Sequence, residues 1–328
     1  MKTLKQILCG YLIFLAAYSA FAGNKEEGKA LYEQKKYTEA LVLFLKADAS
    51  KDAWVQNRLG VMYLRGRGVE KDPGAAFGWF KKSAAQNYPD AFSNLGRMYE
   101  SGDYVGQDYQ KALEYYLKGE ALGSSQAVIN LGFIYDKGIG VKEDKKKAND
   151  YYVKAAGMGN ASALCNLGLK YMDGDGVPKN YERARKLFDT GSDHGNACCL
   201  NGLADLYSYG LGVQRDLPGA FKLYEKAAQI GSEDAQRNLA VAYEHGLGVK
   251  KNAVEAFRWY QQAAENGSPP AMERMARVYF HGQFGQKQDE AKAKMWLERA
   301  EKQRYAYRMS PPDVANTIIM RLFEEQQQ

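Results

Sequence analysis

Proline is scarce, 8 in 328 residues, although the chain holds 33 glycines. That balance excludes collagen and argues against a Pro/Gly-rich disordered chain. Four cysteines and three histidines leave little material for a protein that holds several metal ions. Neither sign of charge dominates: 45 Lys+Arg stand against 39 Asp+Glu, a net charge of +6, which does not suggest a strongly basic nucleic-acid binder. After the N-terminal segment no run approaches the about twenty apolar residues that span a bilayer. What is present is 45% hydrophobic and 26% charged residues, the composition of a folded soluble protein. Glycine and tyrosine, at 33 and 24 residues, are used at regular places.

Residues 1–22 read as a signal peptide. Lys2 and Lys5 form a basic start, Ile7 to Ala17 an apolar run, and Ala20-Phe21-Ala22 a small-residue cleavage site. Cleavage is expected after Ala22, leaving 306 of the 328 residues with 43 basic against 39 acidic side chains, a net charge of +4. No cleavage box ends at Cys9, so no lipid anchor is expected. The expected location is the periplasm or the exterior, with no stable membrane insertion.

A period of 36 residues governs the rest. Tyrosine recurs at 63, 99, 135, 171, 207, 243 and 279. Four residues earlier stand Leu59, Leu95, Leu131, Leu167, Leu203, Leu239 and Met275, each followed by Gly or Ala. A second small slot holds Ala91, Ala127, Ala163, Cys199, Ala235 and Ala271, and a glycine follows each tyrosine, commonly within Gly-x-Gly-Val. Then comes Asp72, Asp108, Asp144, Asn180, Asp216 or Asn252, an alanine four positions on, and a bulky pair such as Trp79-Phe80 or Tyr115-Tyr116.

Small residue, Leu, small residue and Tyr at i, i+4, i+5 and i+8 mark one face of an amphipathic helix. Gly-x-Gly supplies the left-handed conformations that end the helix and turn the chain. The Asp/Asn slot caps a second helix, whose alanine and aromatic pair face back onto the first. One such hairpin cannot bury its own apolar face, so hairpins must stack.

This pattern resembles the Sel-1-like repeat, a relative of the tetratricopeptide repeat. The resemblance implies an all-α, right-handed α-solenoid of stacked antiparallel helix hairpins, seven repeats of 36 residues over 52–304. Residues 23–51, with Gly28, Tyr32, Tyr37, Ala40 and Phe44, read as a tetratricopeptide-like capping hairpin. Residues 305–328 read as a capping or partner-docking helix, through Val314, Ile318, Ile319 and Leu322, and a tail.

No catalytic signature is found: S-x-x-K, G-x-S-x-G and H-E-x-x-H are missing, and no Gly-x-Gly pair extends to a dinucleotide-binding loop. We therefore expect no enzyme, no cofactor and no metal. Asp173-Gly174-Asp175-Gly176 hints at a calcium loop, but the spacing to a bidentate Glu is wrong and a repeat turn is the better account. His245 and His281 share a slot in adjacent repeats without further ligands. Cys199 fills a buried small slot. Cys165 and Cys198 lie on first helices of neighbouring repeats; at a stacking distance of roughly 10 Å they exceed the roughly 7 Å reach of a disulfide, so free thiols are favoured over a bridge.

In the superfamily that the chain resembles, the unrepeated positions of the first helices line a concave groove. In that register the groove reads Trp54, Asn57, Arg97, Glu100, Phe133, Asp136, Leu169, Met172, Asp205, Tyr209, Arg237, Glu244, Arg277 and Phe280. Aromatic, Met and Arg content of this kind is typical of protein-binding patches. Asn94, Asn130, Asn166 and Asn238 form a ladder, suited either to a peptide backbone or to joining stacked hairpins. The expected function is a monomeric, exported, non-enzymatic scaffold that binds a protein or peptide and no nucleic acid. The resemblance implies three settings: envelope regulator, host-interaction factor, or toxin-immunity protein. The alternatives are a β-lactam or cell-wall hydrolase and a peptidoglycan- or glycan-binding module.

Overall fold

A computed structural model describes residues 23–47 and 51–307, with side chains through Arg304. The signal peptide and the C-terminal helix and tail expected from the sequence lie outside the described residues. Every regular element among the described residues is an α-helix, and none is long and apolar enough to cross a membrane. The chain divides into two compact units between Asn160 and Ala161, at a boundary between two repeats.

The first unit opens with two helices, α1 (residues 23–33) and α2 (Tyr37–Ala47). Gly28 lies beneath the Phe44 ring, where a Cβ would come within 2.7 Å. Three hairpins follow: α3 (Ala53–Arg65) with α4 (Pro73–Ala84), α5 (Pro89–Ser101) with α6 (Tyr109–Ala121), and α7 (Ser125–Lys137) with α8 (Lys145–Gly157). The second unit holds four: α9 (Ala161–Asp173) with α10 (Tyr181–Asp193), α11 (Ala197–Tyr209) with α12 (Leu217–Ile230), α13 (Glu233–His245) with α14 (Ala253–Glu265), and α15 (Pro269–His281) with α16 (Glu290–Tyr307).

The repeated residues do what their spacing demands. Gly66, Gly102, Gly138, Gly210, Gly246 and Gly282 end the first helices at φ between 65 and 77°, each returning its N–H to the carbonyl four residues back. Asp72, Asp108, Asp144, Asn180, Asp216 and Asn252 cap the second helices by accepting from the backbone N–H three residues on. The Leu-small pair and the second aromatic of each bulky pair form the core: Leu131 and Tyr152 in the first unit, Leu239 and Tyr260 in the second, are at most 3% exposed.

The second glycine of Gly-x-Gly has a further duty. At Gly140 a Cβ would strike the Cβ of Tyr109, at the start of the preceding hairpin's second helix, so the residue sets the spacing of neighbouring hairpins. Tyr104 departs from the pattern, a tyrosine in the left-handed region at φ 69°, with its ring against Phe77.

Candidate functional site

In the first unit most of the expected groove residues are spent on structure. Trp54 is half-buried, edge-on to Phe44 at 5.6 Å and covered by Arg58 at 5.0 Å and Lys29 at 4.8 Å. Asn57 is buried and accepts from Asn94 Nδ2 at 2.9 Å; Asn130 donates in the same way to Ser93 Oγ at 3.2 Å. The asparagine ladder thus joins adjacent first helices. Asp136, also buried, is held by Lys145 and Lys137 at 3.2 and 3.1 Å. Glu100 accepts from Tyr116 Oη, and burial holds its carboxyl above the ordinary range. Arg97 and Phe133 remain exposed, Phe133 at 42%.

The second unit brings several expected residues to one place. Leu169 and Met172, one turn apart on α9, face an i, i+4, i+8 stripe of Asn201, Asp205 and Tyr209 on α11. Asp234, Arg237 and Asn238 from the start of α13 complete a cavity of about 490 Å³, with Lys179, Asp173 and Cys198 also in its lining. Tyr209 is 71% exposed.

The polar floor is tied together. Asn238 Nδ2 donates to Asn201 Oδ1 at 3.0 Å, Asn201 Nδ2 to Asp205 Oδ2 at 3.2 Å, and Tyr224 Oη to Asp205 Oδ1 at 2.6 Å. Burial holds Asp205 above the ordinary carboxylate range, with Tyr224 and Arg237 pulling the other way. Arg237 is half-buried, and its Nε is enclosed without a hydrogen-bond partner among the described residues. The ladder fails at this step because arginine stands in both slots. Arg274, where an asparagine would reach back to position 237, turns instead to Glu244 at 2.6 Å.

Three expectations change. Phe280 is 5% exposed and belongs to the core with Trp296 and Leu297, so it is not a groove residue. It shares a slot with Glu100 and Glu244, but lacking a polar head it buries its ring where they meet a tyrosine hydroxyl. Glu244 is committed internally, to Arg274 and to Tyr260 Oη at 2.7 Å, while Arg277 is exposed.

The third change concerns cysteine. Cys165 and Cys198 form a disulfide, with Cα atoms 5.9 Å apart, and are not free thiols. A stacking distance of about 10 Å separates helix axes, whereas two Cα atoms facing each other on cylinders of about 2.3 Å radius come within about 5–6 Å. The offset is 33 residues, not 36, because Cys198 stands about one turn before the slot on α11 that is equivalent to Cys165 on α9. Cys199 is a buried free thiol whose pKa burial pushes up to about 12. Asn201 and Asp234 were not expected in the site; the 37-residue offset between Asn57 and Asn94 was the sequence signal for Asn201.

The aspartates of Asp173-Gly174-Asp175-Gly176 do not gather round an ion: Lys170 pairs with Asp175, and the segment is a repeat turn. Among the described residues no three His, Cys, Asp or Glu side chains stand together as metal ligands would.

Comparison with solved structures finds a protective antigen present in uropathogenic Escherichia coli strains, 28% identical over 89% of this chain at a TM-score of 0.54. The present chain spans 64% of that protein's length. A Sel1 repeat protein from Oxalobacter formigenes is 34% identical, covering 84% of this chain and 98% of its own, at a TM-score of 0.44. Yeast Tom70, 15% identical at a TM-score of 0.50 over 89% of this chain and 59% of its own, shares the fold. No curated protein matches. The Sel1 repeat model matches seven times, at 55–88, 89–124, 125–160, 161–196, 199–232, 233–268 and 269–305, and the chain belongs to the Sel1 repeat family.

Proposed function

We propose that this chain is an exported, non-catalytic scaffold that binds a protein or peptide partner, and that the cavity of the second unit is where the partner docks. Sel1 repeat proteins are protein-interaction scaffolds. The observation that carries the docking site is the combination of an exposed Tyr209 with Leu169, Met172 and a half-buried Arg237 around one concavity. Tyrosine and arginine dominate interface hot spots, and a thioether adapts to irregular partner surfaces.

Export is supported by the basic, apolar, small-residue order of residues 1–22. The Cys165–Cys198 bridge adds support, since disulfides persist in oxidising compartments. An exported binder of this kind suits a periplasmic inhibitor, a toxin-immunity protein or an envelope regulator.

Affinity capture from envelope extracts, with wild type beside Met172→Ala/Tyr209→Ala, tests the site. The wild type is expected to enrich a partner at least ten-fold over the variant. Equal recovery by both would remove the cavity from the binding surface. N-terminal sequencing of fractionated protein tests export: a start at Gly23 in the periplasm is expected, and a cytosolic chain starting at Met1 would overturn it.

A further inference from the structure

The asparagine ladder is interrupted between α9 and α11. In the register that joins Asn57 to Asn94 and Asn201 to Asn238, the corresponding positions are Cys165 and Gly202, which cannot make the amide hydrogen bond. The Cys165–Cys198 disulfide ties the same two helices together. The two sulfurs are unequally placed: Cys165 is 1% exposed, whereas Cys198 is exposed and forms part of the cavity lining. Leu169 and Met172 on α9 and Asn201, Asp205 and Tyr209 on α11 line that cavity, so the bridge fixes two of its walls to one another.

We propose that Cys198 is a thiol–disulfide exchange site, at which a dithiol reductant opens the Cys165–Cys198 bridge and releases α9 from α11. A thiolate of the reductant attacks Cys198 Sγ from the cavity side. The bond between the two protein sulfurs breaks, Cys165 departs as a thiolate and takes a proton from water, and a mixed disulfide remains on Cys198. The reductant's second thiolate attacks its own disulfide-bonded sulfur and releases Cys198 as a thiolate. Two electrons pass to the protein, and the dithiol leaves as a disulfide. Attack on Cys165 is closed by burial. Cys199 does not compete, because its sulfur is enclosed beside the Ala161 carbonyl at 3.8 Å. The assignment holds whether or not a protein partner docks in the cavity.

Glutathione, a monothiol with no second thiol of its own to resolve the mixed disulfide, reports the point of attack when quenched early. After incubation with the oxidised chain and acid quenching, peptide mass mapping is expected to find the adduct on Cys198 with Cys165 free. An adduct on Cys165 in comparable amount, or no adduct at either, overturns the assignment. Hydrogen exchange after dithiothreitol treatment reports the consequence: amides of α9 and α11 are expected to lose at least ten-fold in protection while α14 and α15 keep theirs. Unchanged protection in α9 and α11 overturns it. Cys165→Ser/Cys198→Ser should reproduce the reduced pattern, and if that variant does not fold, the reduced wild type still decides the matter.

Discussion

Glu100 and Glu244 occupy the same slot four repeats apart, and each accepts a hydrogen bond from a second-helix tyrosine, Tyr116 and Tyr260. Burial pushes both carboxyls up, yet Glu244 ends below the ordinary range because Arg274 and Tyr260 outweigh its burial. Glu244 therefore contributes stability that is present above the ordinary glutamate range and lost as pH falls through its depressed folded value. Glu100, raised, costs stability as pH climbs from the ordinary value to its own. Carboxyl-carbon NMR titration should place the two on opposite sides of free glutamate, and Arg274→Ala should move Glu244 upward while leaving Glu100 in place. Titration of both at one pH would show that Arg274 does not set the difference. The close approach at Gly132 gives a second test. A Cβ there would lie 2.7 Å from the Tyr152 ring, so Gly132→Ala should destabilise by about 1–3 kcal/mol in a urea melt. At this scale the sequence displayed the polar residues but not their commitments: Glu100 meets its tyrosine 16 residues away on another helix, and spacing within one helix cannot show that.

The helices themselves were readable because one set of contacts recurs seven times. A single Leu-Gly or Asp-x-x-x-Ala is weak, whereas seven copies in register place both helices and both caps. The caps can be tested directly. Asp144 accepts from the Lys147 N–H at 2.9 Å, and Asp144→Ala should cost about 1 kcal/mol, with Asp144→Asn close to wild type in the same denaturant series. Position 104 shows what the pattern could not give. A reading of the turn calls for glycine, yet Tyr104 holds φ 69° with its ring at 5.8 Å from Phe77, a contact between a loop and the preceding hairpin's second helix. The bridge between Cys165 and Cys198 escaped for a related reason: equivalent slots differ by 36 residues, but facing residues differ by 33 or 37. The period locates elements; which side chains of neighbouring first helices touch is set by offsets on either side of it, 33 for the cysteines and 37 for the asparagines.

For the whole molecule, stacked hairpins mean that stability is carried by neighbours. A cross-link spanning 33 residues restricts the unfolded chain by about 3–4 kcal/mol, so reduction should lower the melting temperature of the second unit by on the order of 10 °C. Calorimetry with and without dithiothreitol measures this, and an unchanged melt would show that the bridge constrains nothing that unfolding releases. The second glycine of the turn carries a different consequence, one for the gene. Gly140 fits against Tyr109 as Gly212 fits against Tyr181, so a hairpin in each unit offers its neighbour the same socket. Removing 73–108 would join Asp72 to Tyr109, setting an aspartate where Asp108 had stood and leaving that socket filled. Unequal crossing-over between repeats that share this socket therefore yields in-frame chains whose seams match, and there the coding sequence can gain or lose a whole hairpin at a time.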